Sequence, residues 1–384
     1  MSRVEVSPRI IRWAITRSGL PEVILERKFP KINEWIRGAV SPTLRQLEKF
    51  AKATTTPFGY LFLSEPPVDQ LTIPHFRTVT DGGTWSPSPN LLETVQIMQR
   101  RQEWMREFLI QEGQERLRFI RSASVGDNPT TVANGMRQEL GLADGWASNI
   151  RTWTDALRAL IVNAEDAGIL VVVNGIVGNN THRKLDPNEF RGFVLTDEFA
   201  PLVFINGADG KAAQMFTLAH ELAHLWFGES AAFDLRQLLP ASDAVEQSCN
   251  RVAAEFLVPE AELRQLWPEA SSESEPFQVV ARQFKVSSLV AARRALDLGL
   301  IGRDEFFAFL SQYQVDERRK ASTKSDGGDF YANQNQRVGR RFGQAVLVAT
   351  MEGRLLYHEA YQLTGLHGKT FEQWGESVRS GGGR

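Results

Sequence analysis

The sequence predicts an α+β fold, in which a small β-sheet and several helices form a central domain between helical N-terminal and C-terminal regions. Short β-branched or aromatic runs fall between residues 169 and 207, and amphipathic helix patterns lie on both sides of them. Stretches rich in proline, glycine or polar residues separate these parts. We expect four parts: a helical domain (1–66), a linker and long helix (67–148), the central domain (149–312), and a polar linker with a helical tail (313–384).

The composition predicts a chain that buries substantial cores and has no overall basic field. The chain has 384 residues, of which 42% are hydrophobic, and its formal net charge is -2. Its single cysteine, Cys249, excludes an internal disulfide framework and indicates a reducing compartment. The first residues lack the apolar core of a signal peptide, and no apolar run is long enough to span a bilayer. We therefore expect a cytoplasmic protein without a membrane partner.

Residues 7–66 predict a bundle of short helices. Ser7 and Pro8 are typical of a helix start, and "SPTLRQLEKFAKA" predicts an amphipathic helix. The apolar face of that helix consists of Leu44, Leu47, Phe50 and Ala51. The prolines of "PFGYLFLSEPP" mark the end of the bundle, and residues 68–90, rich in Pro, Gly, Ser and Thr, predict a linker.

The rest of the chain alternates helices and strands before it ends in a tail. A long helix is predicted from Asn90, and "TWTDALRALIVNAEDAG" predicts another that Gly168 ends. "ILVVVNG", "FRGFVL" and "PLVFING" predict three buried strands. Further helices are predicted at 244–257, at 276–299 and in "RDEFFAFLSQYQ", followed by a polar linker at 318–328 and a helical tail.

The segment "FTLAHELAHLWFG" (216–228) holds the pattern with the clearest chemical meaning. On a helix, His220 and His224 lie one turn apart on one face, so both can bind one metal ion. Glu221 lies about 100° around the helix axis, beside such an ion, where it can take a proton from a water molecule. This is the H-E-x-x-H arrangement of zinc peptidases. The alternative is a buried helix with two core histidines. Because buried histidines need partners, we favour the metal, in a catalytic role before a structural one.

A catalytic zinc site needs a third protein ligand, and "VEQSCNRVAAEFLVP" offers Glu246 and Glu255. We favour Glu246, because Asn250 follows it by one turn and can orient a histidine ring from behind. Glu255 is then interpreted as a solvated surface residue. Asp234 and Asp243 are weaker candidates, because acidic residues in loops usually face water. Cys249 is also weaker, because a lone cysteine is more often a small buried side chain.

The run "FRGFVL … PLVFING … MFTLAHELAHLWFG … VEQSCNRVAAEFLVP" resembles the ImmA/IrrE metallopeptidases, over roughly residues 150–300. The resemblance implies a zincin-like metallopeptidase core. It implies zinc bound by His220, His224 and Glu246, with Glu221 as the general base. It also implies that the substrate is a helix-turn-helix repressor, whose cleavage at a specific site releases transcription.

The segment "INEWIRGAVSPTLRQLEKFAKA" resembles the second half of an Xre-type helix-turn-helix domain. The segment between Leu20 and Trp35 departs from the pattern, because it is shorter than usual and has Pro30 in its middle. Only Lys31, Asn33 and Arg37 are obvious candidates for base contacts. We expect weak DNA binding at best, with a helical domain kept for protein contacts as the alternative. A second helix-turn-helix-like stretch, 279–301, predicts either packing on the catalytic domain or a modest basic face made of Arg282, Lys285, Arg293 and Arg294.

The order of an Xre-like domain followed by the H-E-x-x-H segment resembles fused proteins linked to toxin–antitoxin and stress-response loci. The resemblance implies a zinc endopeptidase that cleaves a specific partner encoded nearby, such as a repressor or a toxin. The alternative is a non-catalytic, antitoxin-like regulator of transcription with a structural metal site. His182 and Arg191 are weak candidates for stabilising the oxyanion, and the sequence does not predict an oligomeric state.

Overall fold

The computed structural model describes residues 3–67, 87–228, 231–233, 244–321 and 330–379, with the backbone alone at 231–233, 314–321 and 330–333. The chain forms two compact units, one of residues 1–72 and 78–96 and the other of residues 73–77 and 97–384. Helices predominate and the strands are few, which confirms the predicted α+β class. None of the helices in the described ranges has the length and apolar character needed to cross a membrane.

The first unit is a small helical bundle. Its helices are α1 (Pro8–Ser18), α2 (Glu22–Lys28), α3 (Ile32–Ile36) and α4 (Leu44–Ala53), followed by a 3₁₀ helix at Phe58–Phe62. Thr43 caps α4 by accepting the backbone N–H of Gln46, and the side chain of Gln46 accepts the backbone N–H of Thr43 in return. The aromatic rings of Phe29, Trp35 and Phe50 pack together in the core of this bundle.

Two details of this bundle bear on the sequence-based predictions. Three of the four residues predicted to form the apolar face of α4 are buried, but Leu44 is 47% exposed. A side chain in the first turn leans towards the helix N-terminus, which here carries it away from the core. Helix α3, where a DNA-recognition helix would lie, has only five residues. This agrees with the shortened recognition segment that the sequence indicated.

The second unit is built around a four-stranded sheet in the order β1-β5-β4-β6. The strands are β1 (Leu170–Asn174), β4 (Gly192–Leu195), β5 (Leu202–Asn206) and β6 (Ala231–Phe233), and β2 (Ile176–Val177) and β3 (Asn180–Lys184) form a separate hairpin. Strand β1 runs parallel to β5, whereas β4 runs antiparallel to both β5 and β6. The three predicted strands are all present and fully buried, but the sequence-based analysis missed the hairpin and β6.

Helices surround this sheet. They are α5 (Pro89–Gln111), α6 (Pro129–Glu139), α7 (Trp153–Asp166), α8 (Lys211–Phe227), α9 (Ala244–Leu257), α10 (Glu260–Ala270), α11 (Pro276–Phe284), α12 (Ser288–Asp297), α13 (Arg303–Ala321), α14 (Phe330–Val338), α15 (Arg340–Met351), α16 (Tyr357–Thr364) and α17 (Lys369–Arg379). Residues of α5 up to Gln96 belong to the first unit. Helices α8 and α9 pack along one another, and α8 also contacts β4 and β5.

Three expectations for the region after α10 differ from the structure, and one of them, the basic face, was the less favoured of the two interpretations of residues 279–301. Residues 276–299 do not form one helix, because Lys285 adopts a left-handed conformation at φ 55° and Ser287 starts α12 by capping the N–H of Val290. The proposed basic face does not form either, since Lys285 and Arg294 are only 6% and 8% exposed. Arg293 forms an ion pair with Asp297. Helix α13 extends to residue 321, so the predicted linker begins inside a helix, and its remainder lies outside the described residues.

The C-terminal tail packs on the edge of the sheet. Helices α14 and α15 contact β1, and Glu165 at the end of α7 accepts hydrogen bonds from the side chain of Arg340 and the backbone N–H of Arg341. Arg101, on α5, is 4% exposed and donates to the carbonyl oxygens of Arg337 and Leu363, in the last turns of α14 and α16. These contacts join α7, the tail and the part of α5 that follows Gln96 to the second unit.

Candidate metal centre

Helix α8 is buried on every side, and this places three ionisable side chains in the interior. Its residues are apolar at nearly every position around the axis, which suits a helix enclosed between a sheet and other helices. Gly228, at φ 74°, ends the helix in a left-handed conformation that glycine adopts at low cost. His220 and Glu221 have no exposed surface, and His224 is 1% exposed.

Helix α9 brings Glu246 against the two histidines. The Nε2 atom of His220 lies 3.2 Å from Oε2 of Glu246, and the Nε2 atom of His224 lies 3.3 Å from Oε1 of the same carboxylate. The two Nε2 atoms are 3.0 Å apart. Among the described residues, these three form a cluster with the donor atoms and the spacing that a metal ion needs.

The dimensions of this triangle fit zinc. Zinc binds histidine nitrogen and carboxylate oxygen at about 2.0–2.2 Å in a tetrahedral arrangement, which places neighbouring ligand atoms about 3.3 Å apart. The two Nε2 atoms lie 3.0 Å apart, and they lie 3.2 and 3.3 Å from the two different oxygens of Glu246, so one ion can contact both nitrogens and this carboxylate with little movement of the side chains. Three protein ligands leave the fourth tetrahedral position for water or substrate, as in catalytic zinc sites.

The electrostatics of the cluster favour a negative Glu246 and a neutral His220, the protonation states that bind a cation. Burial alone would raise the pKa of Glu246, but hydrogen bonds from His220 and His224 outweigh burial and hold that pKa well below its usual range. Burial lowers the pKa of His220 despite its contact with Glu246. A neutral histidine keeps a lone pair for the metal, so these shifts are compatible with metal binding.

Glu221 stands outside the triangle. Burial first, and then the nearby negative charge of Glu246, raise the pKa of Glu221 well above its usual value. Neither carboxylate oxygen has a hydrogen-bond partner in the described parts of the chain. A buried carboxylate without partners is costly, so its presence beside a candidate metal centre points to a functional role. Its carboxylate lies against the start of β4, where an ideal Cβ on Gly192 would be 3.3 Å from Oε1.

Two further residues of α9 lie close to this cluster along the chain. Asn250 follows Glu246 by one turn of α9, but the described residues show no hydrogen bond at Nδ1 of His220 or His224, so the expected role of Asn250 behind a histidine ring stays a prediction. Cys249 is fully buried in the core of the second unit. The interpretation of Cys249 as a buried thiol therefore agrees with the structure.

The interpretation of Glu255 as a surface residue is wrong. Glu255 is 4% exposed and forms a buried ion pair with Arg294, which also donates to the carbonyl oxygen of Val258 at 3.0 Å. The backbone N–H of Glu260 donates to the same carboxylate. With these partners, Glu255 stabilises the junction of α9, α10 and α12. The other two acidic candidates, Asp234 and Asp243, lie outside the described residues.

The remaining sequence-based candidates do not join the triangle. His182 lies on the exposed strand β3, and Arg191 forms an ion pair with Asp209 at 3.1 Å. In the first unit, the three candidates for base contacts are exposed: Lys31, Asn33 and Arg37. The amide of Asn33 donates to Glu26 at 2.8 Å, which occupies one of its two donor hydrogens.

Comparison with known families identifies two segments of the second unit. Residues 164–296 match the family model of the IrrE N-terminal-like domain, which covers β1 to α12 and both helices of the cluster. The match indicates a metallopeptidase of the ImmA/IrrE type in this part of the chain. Residues 338–377, in the tail, match a domain of unknown function, DUF8813. No curated protein and no solved structure matches the chain.

Proposed function

We propose that the protein is a zinc-dependent endopeptidase, in which His220, His224 and Glu246 hold the metal and Glu221 is the general base. The cluster of ligand groups carries this proposal, because the two Nε2 atoms and the carboxylate of Glu246 lie 3.0–3.3 Å apart, a spacing that suits one tetrahedral zinc ion. The family match over residues 164–296 supports the same chemistry.

The metal and Glu221 have separate roles in peptide hydrolysis. A bound zinc ion polarises a carbonyl group and lowers the pKa of water to about 7. Glu221 takes a proton from the attacking water and passes it to the nitrogen of the leaving amine. Neither oxygen of Glu221 makes a hydrogen bond within the described residues, so the base breaks no contact when it accepts this proton. Its raised pKa makes it a stronger base than an exposed glutamate.

The supporting residues fix the direction of the two histidine rings. Glu246 comes from α9 and contacts both rings, so the ligands of α8 are held from a second helix. Asn250 lies one turn after Glu246 on the same helix, and we propose that it limits rotation of a histidine ring from behind. Such restraints keep a catalytic metal in one geometry.

We propose further that the enzyme has a regulatory role and acts on a specific partner encoded nearby, such as a repressor or a toxin. The first unit supports this, because residues 3–67 contain eleven Lys and Arg against six Asp and Glu and form a separate compact bundle that can dock on a partner. Docking raises the effective concentration of a substrate segment at the active site. The lack of exposed surface on His220 and Glu221 also disfavours indiscriminate attack on unfolded chains.

A non-catalytic regulator with a structural metal site is the competing proposal. The unpartnered, fully buried carboxylate of Glu221 argues against it. A structural site gains nothing from such a group, whose burial without a partner costs several kcal/mol unless it is protonated.

Zinc content tests the proposed ligand set. Purified protein should contain about one zinc ion per chain, and alanine at any of the three ligands should lower this value strongly. Chelation followed by dialysis should remove the metal, and added zinc should restore both metal content and peptidase activity. Wild-type protein that contains no zinc and gains no activity when zinc is added would exclude this function.

A further inference from the structure

We infer that Gly192 is a positioning residue for Glu221: because it has no side chain, α8 can lie close enough to β4 to hold the carboxylate of Glu221 in place. This inference rests on the proposed function, since it matters for catalysis only if Glu221 is the base. The sequence-based analysis passed over Gly192, which lies within the strand pattern "FRGFVL" and carries no chemistry of its own.

The space at Gly192 is too small for any other residue without movement of its neighbours. An ideal Cβ there would lie 2.7 Å from Cγ2 of Thr217, 2.9 Å from the carbonyl oxygen of Phe204 and 3.3 Å from Oε1 of Glu221. Packed carbon atoms are separated by about 3.5–4.0 Å, so a methyl group overlaps the first two atoms and presses on the third. Interiors packed at this density transmit such strain to their neighbours.

The neighbours of Gly192 differ in how far they can move. Phe204 belongs to β5, which pairs with β1 on one side and with β4 on the other, so its carbonyl oxygen is held within the sheet. The hydroxyl of Thr217 donates to the carbonyl oxygen of Ala213 at 3.0 Å, which fixes the side chain whose methyl group faces Gly192. The side chain of Glu221 has no hydrogen bond to keep it in place within the described residues. Glu221 is therefore the neighbour that moves most easily.

The same facts explain why the backbone at Gly192 decides where Glu221 rests. Thr217 and Glu221 are one turn apart on α8, so both face β4. Since neither oxygen of Glu221 makes a hydrogen bond there, packing against β4 restrains the carboxylate. The histidines are restrained differently, through Glu246 on α9. A methyl group at 192 should thus displace the base and leave the three metal ligands together.

Gly192→Ala tests this separation of roles. A Cβ at 3.3 Å requires Oε1 of Glu221 to give way by a few tenths of an ångström. Displacement of a catalytic group by about 1 Å can cost about 100-fold in rate, so we expect this smaller shift to lower kcat by about 10-fold. The rates are measured on the synthetic quenched-fluorescence peptide that the wild type cleaves fastest, and zinc content and KM should stay near those of the wild type. A crystal structure of the zinc-loaded variant should show the carboxylate of Glu221 moved by a few tenths of an ångström relative to the histidine rings.

Gly343→Ala is the matched control. An ideal Cβ at Gly343 would lie 2.7 Å from Cζ2 of Trp374, an overlap equal to the closest one at Gly192, but its neighbours belong to the C-terminal tail. We expect this variant to have a lower melting temperature with an unchanged kcat per bound zinc. The double variant Gly192→Ala, Thr217→Ser removes the closest methyl group and should recover part of the lost kcat.

The outcomes separate this inference from the proposed function. If Gly192→Ala keeps its zinc, its kcat and the position of Glu221, the inference is wrong, whereas activity of the wild type still supports the peptidase. If Gly192→Ala and the double variant both lose zinc, Gly192 has only a general structural role, which also overturns the inference. If zinc-loaded wild type cleaves neither the peptides nor the product of the neighbouring gene while the crystal structure shows the expected displacement, the proposed function fails and the positioning stands.

Discussion

Replacement of Glu255 by alanine should separate the roles of the two glutamates on α9. The substitution removes the carboxylate that pairs with Arg294, whose side chain is buried and, within the described residues, keeps its bond to the carbonyl oxygen of Val258 at 3.0 Å. Breaking a buried ion pair from one side typically costs about 3–5 kcal/mol, because it leaves an uncompensated charge. For a unit of this size, about 3 °C of melting temperature is lost per kcal/mol, so we expect a decrease of about 10 °C. Zinc content should not change.

The assay is thermal unfolding together with zinc analysis of the same samples. Glu246→Ala should show the opposite pattern, with strong loss of zinc. Glu260→Ala is the control, because its ion pair with Arg264 at 2.7 Å is about half exposed and should contribute less than about 1 kcal/mol. Loss of zinc in Glu255→Ala with retention in Glu246→Ala would refute the ligand assignment, and an unchanged melting temperature in Glu255→Ala would refute the buried pair.

Three other predictions address the tail, the first unit and substrate selectivity. Arg101→Ala should lower the melting temperature by about 10 °C, because the carbonyl oxygens that end α14 and α16 lose a charged donor. Arg100→Ala, which changes an exposed neighbour, should alter the melting temperature little. Equal effects of the two substitutions in thermal unfolding would contradict this account of the tail. Residues 1–67 should bind duplex DNA weakly, because α3 is short. Since phosphate contacts would dominate, the affinity measured by fluorescence anisotropy should fall steeply as the salt concentration rises. Tight, sequence-specific and salt-tolerant binding would show this expectation to be wrong. The zinc-loaded protein should digest casein poorly and cleave the product of the neighbouring gene, and rapid digestion of casein on a gel would be incompatible with a selective enzyme.

The sequence predicted the features that depend on local spacing. His220 and His224 are four residues apart, so their common face follows from helix geometry alone, and Glu221 follows from the same geometry. The strands were recognisable because each is a short buried run, confirmed at 170–174, 192–195 and 202–206. Glu246 could be chosen over Glu255 only through the resemblance and Asn250, and its role as a ligand stays a prediction.

Features that depend on distant contacts could not be predicted. The partner of Glu255 lies on another helix, 39 residues along the chain, so nothing in the local pattern distinguished a buried ion pair from an exposed acid. Arg101 donates hydrogen bonds to Arg337 and Leu363 of the tail, which lie 236 and 262 positions further along the chain. The composition of the tail gives no sign of these contacts. The break at Lys285 was missed because its neighbours continue an apolar helical pattern on both sides.

The most direct test of the peptidase proposal compares zinc-loaded wild type with Glu221→Gln. Glutamine has nearly the same shape as glutamate but cannot accept the proton, and Glu221 is not one of the three clustered ligands. We predict equal zinc content and equal melting temperatures within a few degrees, with peptide-bond cleavage reduced at least about 100-fold in the variant. Equal cleavage rates in two samples with the same zinc content would contradict the account, because the base would then have to be another group.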